Sequence, residues 1–426
     1  MKKIIIVSPH FPPSNLAAVH RTRLFAEHLP KLGWEPFVVT VHEKYYEEAL
    51  DLNLEKLLPK DLRVIKTNAL ATKPIRLIGD IGIRGFYAMY KAIVKLVQSE
   101  RIDFLYIPIP SHFAALLGRL VHQKTGVKYG IDYIDPWVHR WPGTEKKFSK
   151  HWWSMKLAEW LEPWAVKKAS LITGVAEGYY QDVFKRNTHL YETCKSVAMP
   201  YGGEKGDVEK LKTLALSPYL FQKEEGKLNF VYGGAMLPKA FKPLEMVMQS
   251  IAENKEAFKN IKIHFIGSGK SPNDPQGFNI KDMAIKYGLW ENVFFEYPKR
   301  IPYLDVLTHL NAANGAFILG STEPHYTPSK VYQAVLSEKP IFAILHQDSS
   351  ACEVIQKSKT GVVLGFNGEL ELEKIEANFI SQWKIFIEFV QHYDVSLIDQ
   401  SEFDKYSAKA VTAVLTNYLN ILSNVK

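Results

Sequence analysis

The chain has 426 residues, 46% hydrophobic and 23% charged, with a formal charge of +8 at pH 7. These totals exclude a disordered or fibrous chain, suggest two or three domains, and point to acidic partners such as phosphates, sugar nucleotides, nucleic acid or an anionic membrane. Its two cysteines, Cys194 and Cys352, form neither a zinc framework nor a disulfide scaffold, as expected of a reducing compartment.

The opening "KIIIVS" is an apolar run too short for a signal peptide and reads as a buried strand. Residues 17–33 follow as a helix, with Leu24, Phe25, Leu29 and Leu32 on one face and Gly33 suited to its end. "EPFVVTV" is the next strand. "AMYKAIVKLVQSE" is a helix, "DFLYIPI" a strand, "HFAALLGRLVHQKTG" a helix and "KYGIDYI" a strand, with "ASLITGV" and "SVAMPYG" as two further strands. Such β-α-β alternation predicts a parallel sheet covered on both faces. No run is apolar and long enough for a membrane span.

Residues 201–226 are polar and glycine-bearing and interrupt the rhythm, so they are expected to link two domains. A second alternating set then runs from "KLNFVYGG" through "IKIHFIGSG", "NVFFEYP" and "GAFILGS" to "PIFAIL". The expected domains are therefore 1–200 and 227–370, each doubly wound, with helices over 371–426 that pack back on the first domain. In open α/β sheets ligands bind at the carboxyl ends of the strands, so two such domains facing each other leave a cleft at that edge.

Several residues point toward chemistry at that edge. In "TPSKVYQAVL", Pro328 suits a first helical turn with Thr327 as its cap. The helix start would present free N–H groups to a diphosphate, with Ser329 donating a hydroxyl bond and Lys330 adding charge. An ordinary capped helix with a solvated lysine is the alternative. Arg21 at an early helix start either meets a phosphate or is a surface arginine. His112, after "FLYIPI", either contacts a sugar or is structural. Asp135 either orients or deprotonates an acceptor hydroxyl or caps the turn before Pro136. "GSG" at 267–269 suits backbone room near a nucleotide, and residues 297–301 lie where a base would be edged. The chain has no Asp-x-Asp triplet, the usual carboxylate seat of a metal carrying a sugar-nucleotide diphosphate, so metal-independent binding is expected.

Six of the nine tryptophans fall between residues 135 and 168. Trp153, Trp160 and Trp164 share a helical face and are expected in the core. Trp141 and Trp152, beside Arg140, Lys146, Lys147 and Lys150, suit a membrane interface.

The order of "SPHFPPSNLAAVHRTRLFAEHLPKLGWEPFVVT", "GIDYIDPW", "FVYGGAM", "IHFIGSGK", "NVFFEYPKRIPYLDVLTHLNAANGAFIL" and "TPSKVYQAVLSEKPIFAIL" resembles the GT-B glycosyltransferases, in particular family 4, over residues 3 to about 365. That resemblance implies a hexosyltransferase-type enzyme taking a nucleotide sugar, usually with retention, and a glycan or lipid-linked acceptor. It implies a basic residue of the "YGGAMLPKAFK" loop, Lys239 or Lys242, against the diphosphate. Family members often carry a Glu-x7-Glu pair; here the second position is Gln333, toward the ribose, and the first falls near His325, with Glu323 two residues off register. Trp137 stands in the Asp-Pro-Trp element and is expected at the cleft wall or the acceptor. A GT-B nucleotide-sugar epimerase and a non-catalytic sugar-nucleotide or glycan-binding protein are the competing readings. No bound cofactor and no nucleic-acid partner are expected. The expected location is cytoplasmic, either free or peripheral on the inner face of the membrane.

Overall fold

The computed structural model describes residues 1–74, 78–139 and 145–424. The chain divides into two compact units, one of Met1–Tyr201 with the segment from Ala408 onward, the other of Gly202–Ser407.

In the first unit, β1 (Lys2–Val7), β2 (Trp34–Val41), β3 (Arg63–Thr67), β4 (Phe104–Ile109), β5 (Tyr129–Tyr133), β6 (Leu171–Gly174) and β7 (Lys195–Ala198) form a sheet ordered β3-β2-β1-β4-β5-β6-β7. All its pairings are parallel, with Ile5 beside Phe37 on one side and Leu105 on the other. The second unit repeats the plan with β8 (Leu228–Gly233), β9 (Ile261–Ile266), β10 (Phe294–Tyr297), β11 (Gly315–Leu319), β12 (Ile341–His346) and β13 (Gly361–Phe366), ordered β10-β9-β8-β11-β12-β13. Central strands of parallel sheets are covered on both faces, which is why "IIIV" and "FLYIPI" read as unbroken apolar runs and are buried throughout. In both sheets the strand order reverses beside the first strand, at β1/β4 and at β8/β11. That is where a doubly wound sheet opens a crevice.

Residues 201–226 are more than a link. Helix Lys205–Lys212 is held where the Tyr303 hydroxyl donates to Asp207 (2.9 Å), the backbone N–H groups of Tyr219 and Leu220 donate to His309 Nε2 (3.1 Å each), and Phe221 stacks on His264 (4.3 Å). All of these partners belong to the second unit. The helices after 371 also part company. Helix Leu372–Gln391 lays Ile375, Phe379, Trp383 and Phe386 into the core of the second unit. Only Ala408–Asn424 returns to the first sheet, with Val411, Leu415 and Leu419 against Phe25 and Leu29 and the Trp34 indole donating to Asn420 (3.1 Å).

Helix Lys150–Val166 corrects the tryptophan assignment. Its buried residues are Ala158, Glu162, Ala165 and Val166, whereas Trp153, Trp160 and Trp164 are 57%, 74% and 37% exposed. The periodicity is genuine, but two faces were available. The small-residue face packs against helix Ala115–Thr125 and receives the Tyr129 hydroxyl at the Ala165 carbonyl (2.6 Å), and Glu162 is fixed within it by Arg186, which donates from Nε (2.8 Å) and Nη2 (2.6 Å). Burying that carboxylate with its partner commits the opposite, aromatic face to solvent.

Candidate functional site

In the second unit, the residues after β8 and after β11 meet at the strand-order reversal. Gly234, at φ +113°, turns the chain directly after β8, and its N–H donates to the Ile266 carbonyl (2.8 Å). The turn carries the chain to Lys239, whose carbonyl accepts from the Thr322 N–H (3.2 Å) and whose ammonium pairs with Glu323 (3.1 Å). Two residues singled out separately in the sequence are thus one ion pair. Lys242, the other basic residue of that loop, turns to Glu369 at the surface (3.1 Å). Between the two lysines the structure favours Lys239 for the crevice.

The "TPSK" segment is built differently from the expected capped helix. The helix is Lys330–Leu336, seven residues long, with Ser329 at its cap position and no side-chain cap. Thr327 bonds Ser350 instead (2.7 Å). A helix this short contributes little field of its own. Lys330 is the feature that stands out. Its stem is partly exposed, yet Nζ is buried without a hydrogen-bond partner, 3.5 Å from the centroid of the Tyr232 ring. Burial pulls its pKa down to about 7. The ring face offers partial compensation for the charge. Gln333 lies one turn further along, half-buried, and His325 is half-buried in the preceding loop.

Beside these residues, at the ends of β8, β9 and β10, is a pocket of about 460 Å³ lined by Met236, Gly267, Gly269, Lys270, Asn279 and Arg300, among others. A Cβ on Gly269 would stand 2.7 Å from the Pro298 carbonyl oxygen and 2.8 Å from that of Gly277, so only glycine allows this wall. The buried Glu296 carboxylate braces it, accepting from the Ser268 hydroxyl (3.0 Å) and from the N–H groups of Asn279 and Ile280 (2.9 Å each). Lys270, Asn279 and Glu296 escaped the sequence reading. The "GSGK" run pointed to the first; Glu296 is brought in by the pairing of β10 with β9, and Asn279 by its bonds to Glu296 and to the Ser268 carbonyl.

In the first unit, His112 follows β4 and Asp135 and Trp137 follow β5. The His112 ring lies parallel to Trp137 (6.1 Å, 10°), which meets Phe113 edge-on (6.0 Å). It is hydrogen-bonded to the backbone of Asp135, and burial lowers its pKa to about 4, so it is neutral at pH 7. With one nitrogen committed to that bond, Nε2 is left buried and unpartnered, a lone-pair acceptor. Asp135 is open to solvent by surface area but ringed by protein, and the lost hydration raises its carboxyl to about 6. Trp137, buried in the core, is the wall behind His112 rather than an acceptor contact. Trp141 lies outside the described residues. Trp152 is half-buried and edge-on to Trp153 (4.7 Å).

Arg21 has a different role from either expected one. It is wholly buried: Nε and Nη2 donate to Asp132 (2.5 and 3.0 Å) and Nη1 donates to the Pro200 carbonyl (2.8 Å). Asp132 also accepts from the Thr173 hydroxyl (2.7 Å). Three of its five N–H groups are committed inside the protein, and its complete burial keeps the guanidinium from a ligand phosphate. A pair missed in the sequence lies just past β1, where His10 Nδ1 is 2.8 Å from Glu48. Burial would raise the Glu48 carboxyl, but His10 and the Ser14 hydroxyl overcome this and hold it at about 2. A histidine directly after the first strand was the available signal.

No protein-family model matches the sequence, and no curated protein matches it. Solved structures do match its fold. A glycosyltransferase from Rickettsia africae aligns over 100% of this chain and 99% of its own at 14% identity and a TM-score of 0.60. The sucrose-phosphate synthase of Thermosynechococcus elongatus aligns over 100% of both at 12% identity and 0.64. The Anabaena HepE protein, solved with UDP and glucose, aligns over 99% and 100% at 15% identity and 0.60. At these identities the likeness establishes the fold: two Rossmann-like units of the GT-B type along the whole chain.

Proposed function

We propose that the chain is a glycosyltransferase that takes its sugar from a nucleoside diphosphate sugar bound at the strand-order reversal of the second unit. The observation that carries this reading is the Lys330 ammonium, buried there with no hydrogen-bond partner or counter-ion among the described residues. An unpaired buried charge is costly, and a diphosphate is the ligand class that would neutralise it while accepting its hydrogen bonds. The adjacent pocket, with Lys270 and Arg300 in its wall, falls within the size range of small-molecule sites and suits the nucleoside. In this reading Glu323, paired with Lys239, meets hydroxyls of the donor sugar, and Gln333 meets the ribose, as the sequence resemblance implies. That a structure of similar fold holds UDP and glucose supports the same ligand class.

In the first unit, neutral His112 offers Nε2 to a sugar hydroxyl. Asp135, with its carboxyl raised to about 6, suits a hydrogen bond that orients an acceptor hydroxyl. The leaving diphosphate is stabilised by Lys330 rather than by a metal. Retention of configuration and a glycan or lipid-linked acceptor complete the reading, on the strength of the sequence resemblance. One observation favours binding without transfer: Glu323 is tied to Lys239, and Gln333 and His325 stand where acids are common.

Calorimetry tests the donor site. A UDP-, GDP- or dTDP-sugar has an esterified diphosphate that does not titrate near pH 7, so proton uptake on binding reports the protein. At pH 7 the free ammonium is about half protonated, and a bound diphosphate raises its pKa, so binding takes up about half a proton. Affinity falls as pH rises above about 7, because the free protein must then be protonated in order to bind. Binding heats independent of buffer ionisation, with affinity flat from neutral to alkaline pH, would contradict the role of Lys330.

A further inference from the structure

We infer that helix Lys150–Val166 is a docking surface for an anionic lipid bilayer. Trp153, Leu157, Trp160 and Trp164 are spaced four, three and four residues apart, so at 100° per residue they fall within an arc of about 60° and form a stripe about 16 Å long. All four are exposed, Trp160 by 74%, and Phe148 just before the helix extends the stripe with 74% exposure. The buried Ala158, Glu162 and Ala165 lie on the opposite side. The stripe is therefore not the overflow of a core-facing surface. An exposed contiguous aromatic patch of this kind marks an interaction site.

Charge identifies the occupant. Residues 145–168 carry six lysines, Lys146, Lys147, Lys150, Lys156, Lys167 and Lys168, against three glutamates, and one of those, Glu162, is buried with Arg186. The lysines are exposed. On the helix, Lys150 lies about 60° to one side of the stripe and Lys156 about 60° to the other. Tryptophans flanked on both sides by cations match the boundary between acyl chains and anionic headgroups, the indoles entering and the ammonium groups remaining among the phosphates. A symmetric contact with a second copy of this chain would instead set lysines against lysines. No helix among the described residues is long and apolar enough to cross a membrane, so the contact is one of lying on the surface.

Vesicle sedimentation with the full chain, without nucleotide, tests this independently of the donor site. Wild type is expected on phosphatidylcholine vesicles containing one-third phosphatidylglycerol and about tenfold weaker on phosphatidylcholine alone. The Trp153→Ala, Trp160→Ala double variant is expected to lose about tenfold on the anionic vesicles at an unchanged unfolding temperature. Lys146→Glu, Lys147→Glu, Lys150→Glu is expected to lose the preference for phosphatidylglycerol. Equal vesicle binding by the tryptophan variant, or no vesicle binding by wild type, overturns the inference. So does a dimer in sedimentation velocity that the same two substitutions dissociate, which would assign the stripe to a second copy.

Discussion

Lys330→Met is expected to weaken sugar-nucleotide binding about a hundredfold and, at the same time, to stabilise the folded protein. A structural lysine behaves in the opposite way. In the folded chain the ammonium is desolvated and without a counter-ion, with a pKa of about 7. Unfolding returns it to the ordinary lysine value, so between pH 7 and 10.5 the unfolded chain holds more protons and wild-type stability rises with pH. At pH 7 the difference disfavours folding by up to about 4 kcal/mol, less what the Tyr232 ring recovers. Methionine keeps the stem and fits a helix, removing that cost of burial and its pH dependence. The lost charge-assisted bond to the diphosphate costs about 2–3 kcal/mol, roughly a hundredfold in affinity. Thermal unfolding at pH 7 and pH 9, beside calorimetric titration, reads both effects. A destabilised variant with unaltered affinity would make Lys330 an ordinary packing residue.

Asp132→Ala is expected to destabilise the first unit by about 3–5 kcal/mol, since it strands the wholly buried Arg21 guanidinium without its counter-ion. Thr173 loses its acceptor as well. Replacing both charges, as Arg21→Met with Asp132→Leu, is expected to recover most of the loss, because paired removal leaves no orphaned charge. Chemical denaturation measures the two variants. The double variant also separates roles: it should keep wild-type affinity for the donor, and a hundredfold loss would return Arg21 to the phosphate site.

The two-unit architecture was legible because parallel strands buried on both faces leave unbroken apolar runs. Strands β3 and β13 escaped for the converse reason. Each lies at a sheet edge, and "RVIKT" keeps Arg63 and Lys66 exposed. The helical period of Trp153, Trp160 and Trp164 was also legible, but a period does not say which face turns inward. That was decided by Ala158 and Ala165 and by the Glu162–Arg186 pair, whose partners are 24 residues apart in sequence. Arg21 was misplaced because its partner, Asp132, lies 111 residues away and offered no local pattern. Within the candidate site, His112 and Asp135 stood out by following strand ends and Trp137 by its Asp-Pro-Trp element, and folding does gather them. Lys330 stood out by its motif. Its isolation from any counter-ion, which gives it meaning, belongs only to the folded structure.

Proton NMR of the full chain incubated with UDP-, GDP- and dTDP-sugars, without added metal, follows donor binding and cleavage together. The anomeric signal of one donor is expected to decay while free sugar appears first in the same anomeric configuration, and Lys330→Met is expected to slow that decay at least tenfold. All donors remaining intact and unbound would contradict a nucleotide-sugar transferase.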